Sequence, residues 1–114
     1  MRIPIYEPDL THADKKLMQE AIESGWISSL GPFIKEFEKR FSDYTGLPYC
    51  VSCSTGTSAL HLALKSLNIG PSHRVGIPSF TYVATANAVK YVGAEPVFFD
   101  VSASSWNLNV DELT

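Results

Sequence analysis

Ser54-Thr55-Gly56-Thr57-Ser58-Ala59-Leu60 links a short apolar stretch to an amphipathic one through a hydroxyl-rich bend with a single glycine, an arrangement suited to an anion. If a helix begins at this bend, the amides of its first turn lack an intrahelical acceptor and sit at the positive end of the macrodipole. A phosphate can then be held without lysine or arginine. Thr57 and Ser58 would add hydroxyl donors, and Gly56 would let the backbone come close. The same residue types also serve as plain helix caps, so the bend by itself leaves both readings open.

The other groups with reactive side chains point less clearly to chemistry. Cys50 and Cys53 form one C-x-x-C. Tyr49-Cys50-Val51-Ser52-Cys53 reads as a strand, which would turn the two thiols to opposite faces, away from the helix N-terminus where a redox pair usually sits. His12, His61 and His73 stand apart, and no second ligand pair at zinc spacing exists. The expectation is of buried structural thiols and no metal.

These groups need elements to position them. From Thr11 to Ser24 the apolar residues Ala13, Leu17, Met18, Ala21 and Ile22 recur on one helical face; Thr11 is a cap with Asp14 three residues on, and Gly25 is the stop. A second helix is expected from Pro32 to Tyr44, with Phe33, Phe37, Phe41 and Tyr44 aligned and Gly46 beyond it. Between the two lies the apolar connector Gly25-Trp26-Ile27-Ser28-Ser29-Leu30-Gly31. After Pro48 the pattern becomes strand (49–53), helix (57–67, with Leu60, Ala63, Leu64 and Leu67 inward), strand (74–78), helix (82–92) and strand (96–101). This alternation predicts an α/β fold with a parallel sheet covered by helices, organised as a helical segment over 1–48 and an α/β domain over 49–114. Ligands in such sheets bind beyond the carboxyl ends of the strands, so the bends at 54–58, 79–81 and 100–105 are expected to converge. A further helix start is expected at Asn109-Val110-Asp111-Glu112-Leu113-Thr114, so short that the chain reads as part of a longer one.

Composition removes several functions from consideration. Nine basic and twelve acidic residues give a formal charge of -3 with no basic stripe, which argues against nucleic acid as a partner. No apolar run is long enough to span a bilayer, and Met1-Arg2-Ile3-Pro4-Ile5-Tyr6 lacks the features of a signal peptide. A cytoplasmic chain without membrane contact is the expectation.

Taken in order, Gly25-Trp26-Ile27-Ser28-Ser29, the 54–64 segment, Pro78-Ser79-Phe80-Thr81-Tyr82-Val83-Ala84-Thr85-Ala86-Asn87-Ala88-Val89, the Tyr91–Asp100 segment and Ser105-Trp106-Asn107-Leu108 resemble the DegT/DnrJ/EryC1/StrS family of sugar aminotransferases, and within it the perosamine synthase type. The resemblance implies part of a fold-type I large domain with pyridoxal 5′-phosphate (PLP) as cofactor. It also implies amino transfer from glutamate to a keto group on a nucleotide-linked sugar, in a homo-oligomer. By motif, Gly56, Thr57 and Ser58 would bind the cofactor phosphate, and Tyr82 would lie on the pyridine ring. Thr85 and Asn87 would line the same pocket. Trp26, Ser28 and Ser29 would lie near the sugar or a neighbouring subunit, with core packing of Trp26 as the alternative.

The resemblance also implies a lysine that anchors the cofactor and a carboxylate partner for its pyridinium nitrogen, both from later positions in the family. Lys15, Lys16, Lys35, Lys39, Lys65 and Lys90 lie outside the family's lysine motif, and Asp100 is not the pyridinium partner. No catalytic residue is therefore assigned, and the chain alone is expected to be inactive. Two alternatives stand beside the transaminase: a PLP-dependent sugar dehydratase relative, and an inactive remnant that only folds or oligomerises. His73-Arg74 and Gly76 depart from the family's usual acidic pair and β-branched residue, and Gly76 should weaken its strand.

Overall fold

The computed structural model describes residues 3–4 and 6–110. It divides into two compact units, Met1–Ser52 and Cys53–Thr114, a boundary after Ser52 where the sequence places one after Pro48.

The first unit holds α1 (His12–Glu23) and α2 (Pro32–Thr45). Thr11 and Asp14 form a full capping box: the Asp14 amide donates to Thr11 Oγ1 at 3.3 Å while the Thr11 amide and hydroxyl donate to Asp14 Oδ2 at 2.8 and 2.6 Å. α2 starts with proline at its first position and ends at Gly46, whose φ of 71° is the left-handed stop that glycine tolerates. No residue of either helix is buried, so their apolar faces remain open within the unit; Phe37 and Phe41 stack on each other at 5.8 Å, and Tyr44 tilts against Phe41 at 6.4 Å.

The expected strand over 49–53 does not form. A strand exists only where a ladder partner completes its hydrogen bonds, and the sheet among the described residues contains β1 (Arg74–Pro78) and β2 (Glu95–Phe99) alone. Ser52 instead turns its amide and hydroxyl to Glu38 Oε1 of α2, at 2.8 and 3.0 Å. The expectation of buried thiols fails with the strand: both cysteines are free, Cys50 is half-buried and Cys53 is exposed.

The second unit is built from α3 (Gly56–Ser66), β1, α4 (Val83–Tyr91) and β2. β1 and β2 pair in parallel, in the register Arg74↔Glu95 through Pro78↔Phe99, with α4 as the crossover between them. Ile77, Val89, Val92 and Ala94 form the buried core, and Leu64, Ile69, Val75 and Ala86 pack against it. Of the α3 residues expected inward, Leu64 reaches this core, whereas Leu60, Ala63 and Leu67 stay exposed.

Both helices of this unit end in the same way. Past α3, Asn68 at φ 57° precedes Ile69, whose amide bonds the Leu64 carbonyl at 3.0 Å. Past α4, Gly93 at φ 81° precedes Ala94, whose amide bonds the Val89 carbonyl at 3.1 Å. These are Schellman closures, each with an apolar contact returning the chain to the core. The expected helix start from Asn109 onward falls mainly on 111–114, outside the described residues.

The Gly93 closure gives one test, and the hydrogen bonds to Asp14 and Glu38 give a second. A Cβ on Gly93 would stand 3.1 Å from Pro71 Cγ in a left-handed backbone. Gly93→Ala should therefore cost about 1 to 2 kcal/mol in urea unfolding, and an unchanged midpoint would contradict this. The second concerns acid. Thr11, through its hydroxyl and then its amide, holds the Asp14 carboxyl below its ordinary range, and the Ser52 amide and then its hydroxyl do the same for Glu38. Carboxyls depressed by folding stabilise the fold above their unfolded pKa, about 4, and lose that contribution as pH falls through their lower folded values. Helix content by circular dichroism should hold above about pH 5 and decline below about pH 4, with a shallower decline in Asp14→Asn/Glu38→Gln. Superimposable acid profiles for the two proteins would contradict the assignment.

Candidate functional site

At the start of α3 the cap is Thr55, which the sequence reading passed over. Thr55 Oγ1 accepts the Ser58 amide at 3.1 Å and pairs with Ser58 Oγ at 3.0 Å, and its carbonyl accepts the Ala59 amide at 3.0 Å. One first-turn donor is thereby satisfied from within. The amides of Gly56 and Thr57 retain no acceptor among the described residues, and no acidic residue lies in the turn to compete with an arriving anion. Ser58 is drawn into the cap, while Thr57, half-buried, keeps its hydroxyl unpaired among the described residues.

β1 leads through Ser79 into the bend that carries Tyr82. The Ser79 amide donates to the Phe99 carbonyl at 2.8 Å, extending the β1–β2 connection one step beyond the strands. Tyr82 is the N-cap of α4 with extended dihedrals and no side-chain capping bond, and 77% of its surface is exposed. Ser79, Phe80, Thr81, Tyr82 and Val83 line an open concavity of about 480 Å³. Thr85 is half-buried with its hydroxyl 3.1 Å from that of Thr81, and Asn87 is half-buried two residues further along α4.

The turn after β2 meets the same bend. Val101 and Leu108 form an antiparallel bridge, and within it the Ser102 amide bonds the Asn107 carbonyl at 2.9 Å and the Trp106 amide bonds the Ser102 carbonyl at 2.8 Å. Trp106 stands at φ 58° with its ring 5.2 Å from that of Phe80. A left-handed tryptophan costs on the order of 1 to 3 kcal/mol, so the surrounding turn must hold it there. Of the three bends expected to converge, the structure joins 79–82 to 100–108 directly. No hydrogen bond, ion pair or ring contact among the described residues joins either one to Gly56–Ser58; α3 is tied to α4 instead, where His61 meets Tyr91 edge-on at 5.8 Å.

The Trp26 loop belongs to the first unit. Trp26 is 52% exposed, which rules out the core packing considered for it within that unit, and its indole lies against Gly31, where a Cβ would come within 3.2 Å of Cε3. Ser28 Oγ donates to the Leu30 carbonyl at 2.8 Å and shapes the loop, while Ser29 is exposed with no such bond among the described residues.

Comparison with known proteins agrees with this architecture. A model of the DegT/DnrJ/EryC1/StrS aminotransferase family matches residues 8–114. GDP-perosamine synthase of Caulobacter vibrioides is 45% identical over 112 residues, covering 98% of this chain and 30% of that protein. GDP-perosamine synthase of Escherichia coli O157:H7 is 41% identical over 111 residues, covering 97% of this chain and 30% of that protein. The chain thus spans about 30% of the length of these curated relatives. Among solved structures, a Streptococcus pneumoniae protein described as a sugar aminotransferase, in its PLP form, superposes with a TM-score of 0.86 at 38% identity over 99% of this chain and 29% of that one. The same protein is known in a PMP form, and the family depends on PLP. The fold is accordingly part of a fold-type I large domain. On its sequence match and its fold alike, this chain belongs to the DegT/DnrJ/EryC1/StrS aminotransferase family.

Proposed function

We propose that this chain is the cofactor-holding N-terminal portion of a PLP-dependent nucleotide-sugar aminotransferase that moves an amino group from glutamate to a keto sugar, with the anchoring lysine supplied by sequence outside these 114 residues. The observation that carries the reading is the pair of unpaired amides at Gly56 and Thr57, left open at a helix N-terminus because Thr55 has already capped Ser58. That donor set fits a phosphate, which needs several N–H donors and favours the positive end of a helix. The exposed Tyr82 ring fits the other end of the same cofactor, a flat electron-poor heterocycle.

When bound, PLP supplies an electron sink for the carbanion chemistry of amino transfer. The residues of this chain bind and orient. Gly56 and Thr57 fix the phosphate through backbone N–H groups, with the Thr57 hydroxyl as a third donor and Ser58 holding the cap together. Tyr82 would offer its ring as a stacking surface for the pyridine ring. Thr85, braced by Thr81, and Asn87 contribute polar groups at the edge of the pocket. In the first unit Trp26, with Ser28 and Ser29 beside it, presents an aromatic surface and hydroxyls to the sugar substrate or to a neighbouring subunit. The scattered charge and the free thiols of Cys50 and Cys53 support a cytoplasmic setting for this reading.

The reading also includes self-association. Leu17, Met18, Ile22, Phe37 and Phe41 are exposed on α1 and α2, more apolar surface than a solvated helix pair normally carries. Sedimentation should show dimers or larger species whose share grows with concentration; a compact monomer throughout would overturn this part of the proposal.

The pocket is tested with pyridoxine 5′-phosphate, which lacks the aldehyde and so forms no lysine adducts. In equilibrium dialysis Thr57→Val should weaken binding by about 1 to 3 kcal/mol through loss of a hydrogen bond to a charged group. Tyr82→Ala should weaken it by about 1 kcal/mol through lost stacking. Unchanged affinity in both variants would overturn the assignment.

A further inference from the structure

Tyr82 can serve as a stacking surface only if the bend that carries it is held in place. The backbone fastens that bend at its two ends, through the Ser79 amide to the Phe99 carbonyl at 2.8 Å and the Thr85 amide to the Tyr82 carbonyl at 3.0 Å. Between these ends the one ring contact among the described residues is that of Phe80 with Trp106, with centroids 5.2 Å apart and planes inclined at 53°. Trp106 makes this contact from φ 58°. The other described non-glycine residue at positive φ is Asn68, a residue type at home there, whereas a bulky aromatic avoids the region. Asparagine or glycine would suit the Trp106 backbone better, so the advantage of tryptophan lies in what its ring touches.

We infer that Trp106 is a positioning residue: its indole backs Phe80 and so fixes the bend that presents Tyr82. The turn at 101–108 is the mount for this ring. The Val101–Leu108 bridge and the Ser102 and Trp106 hydrogen bonds hold the left-handed backbone that aims the indole at Phe80. The importance of this for function rests on the reading of Tyr82 as the residue that covers the cofactor ring.

The test compares the whole 114-residue chain with Trp106→Asn, which keeps the left-handed backbone but removes the ring, with Trp106→Phe, which restores an aromatic ring, and with Phe80→Ala, which removes the contact from the other side. Amide hydrogen exchange at Ser79 and Thr85 should be about tenfold faster in Trp106→Asn and in Phe80→Ala, return toward wild type in Trp106→Phe, and be unchanged at Val89 in the core of α4. The combined Trp106→Asn/Phe80→Ala variant should add nothing further, since both changes remove the same contact. Pyridoxine 5′-phosphate should bind about fivefold more weakly to Trp106→Asn, with inorganic phosphate unaffected. Wild-type exchange at Ser79 and Thr85 in either ring-deleted variant overturns the inference, as does acceleration at Val89 to the same extent. If the exchange pattern holds but the wild-type chain binds no pyridoxine 5′-phosphate, the cofactor reading fails and the support of the bend by Trp106 stands.

Discussion

Parallel pairing of β1 with β2 is the constraint on which the second unit depends. Two parallel strands cannot be joined by a tight turn, so the chain must cross over between them, and α4 is that crossover. Its inward residue Val89 meets Ile77 of β1, and the closure at Gly93 delivers Val92 and Ala94 into the same small core. The register then fixes which residues emerge together at the carboxyl ends. Pro78 stands opposite Phe99, and the chain leaves both strands on the same side, so the Tyr82 bend and the Trp106 turn are brought face to face. Little of this arises from the two strands' own propensities, since β1 contains both a glycine and a proline. Burial against α4 compensates for that weakness.

The Arg74–Glu95 pair shows what does not hold the sheet. The two side chains sit at the first step of the register, 3.6 Å apart, but both are largely exposed, and such pairs contribute 1 kcal/mol at most. The stabilising contacts lie at the other end of the ladder, around Ile77. Glycine at 76 fits this distribution, because its position in the strand is exposed and requires no side chain to fill the core.

Much of this was legible in the sequence, for local reasons. Thr11 with Asp14, Pro32, Gly46 and the Asn68-Ile69-Gly70-Pro71 stop act over one helical turn, and the helices begin and end beside them. The strand expected at 49–53 was misread because pairing is a property of the partner as much as of the segment, and Glu38, fourteen residues before Ser52, takes the bonds instead. The apolar faces of α1 and α2 are periodic in sequence and are uncovered in their own unit, since periodicity specifies a face and not what covers it. Trp106 was legible only as part of a motif. Positive φ is normally announced by glycine or asparagine, and no sequence signal marks a tryptophan that is forced into it.

The cap at Thr55 has a consequence for how the start of α3 responds to its surroundings. Gly56, Thr57 and Ser58 contain no group that ionises in water near neutrality, and the donors left open are the Gly56 and Thr57 amides and the Thr57 hydroxyl. An anion held by them would meet a site whose charge state does not change between mildly acidic and mildly alkaline conditions. These three residues would add nothing to a rise or fall in occupancy over that span, whereas the ligand would contribute through the second ionisation of its phosphate near pH 6. With no mobile cation in the turn, the attraction would also be of short range, acting after arrival rather than drawing the ligand in from a distance.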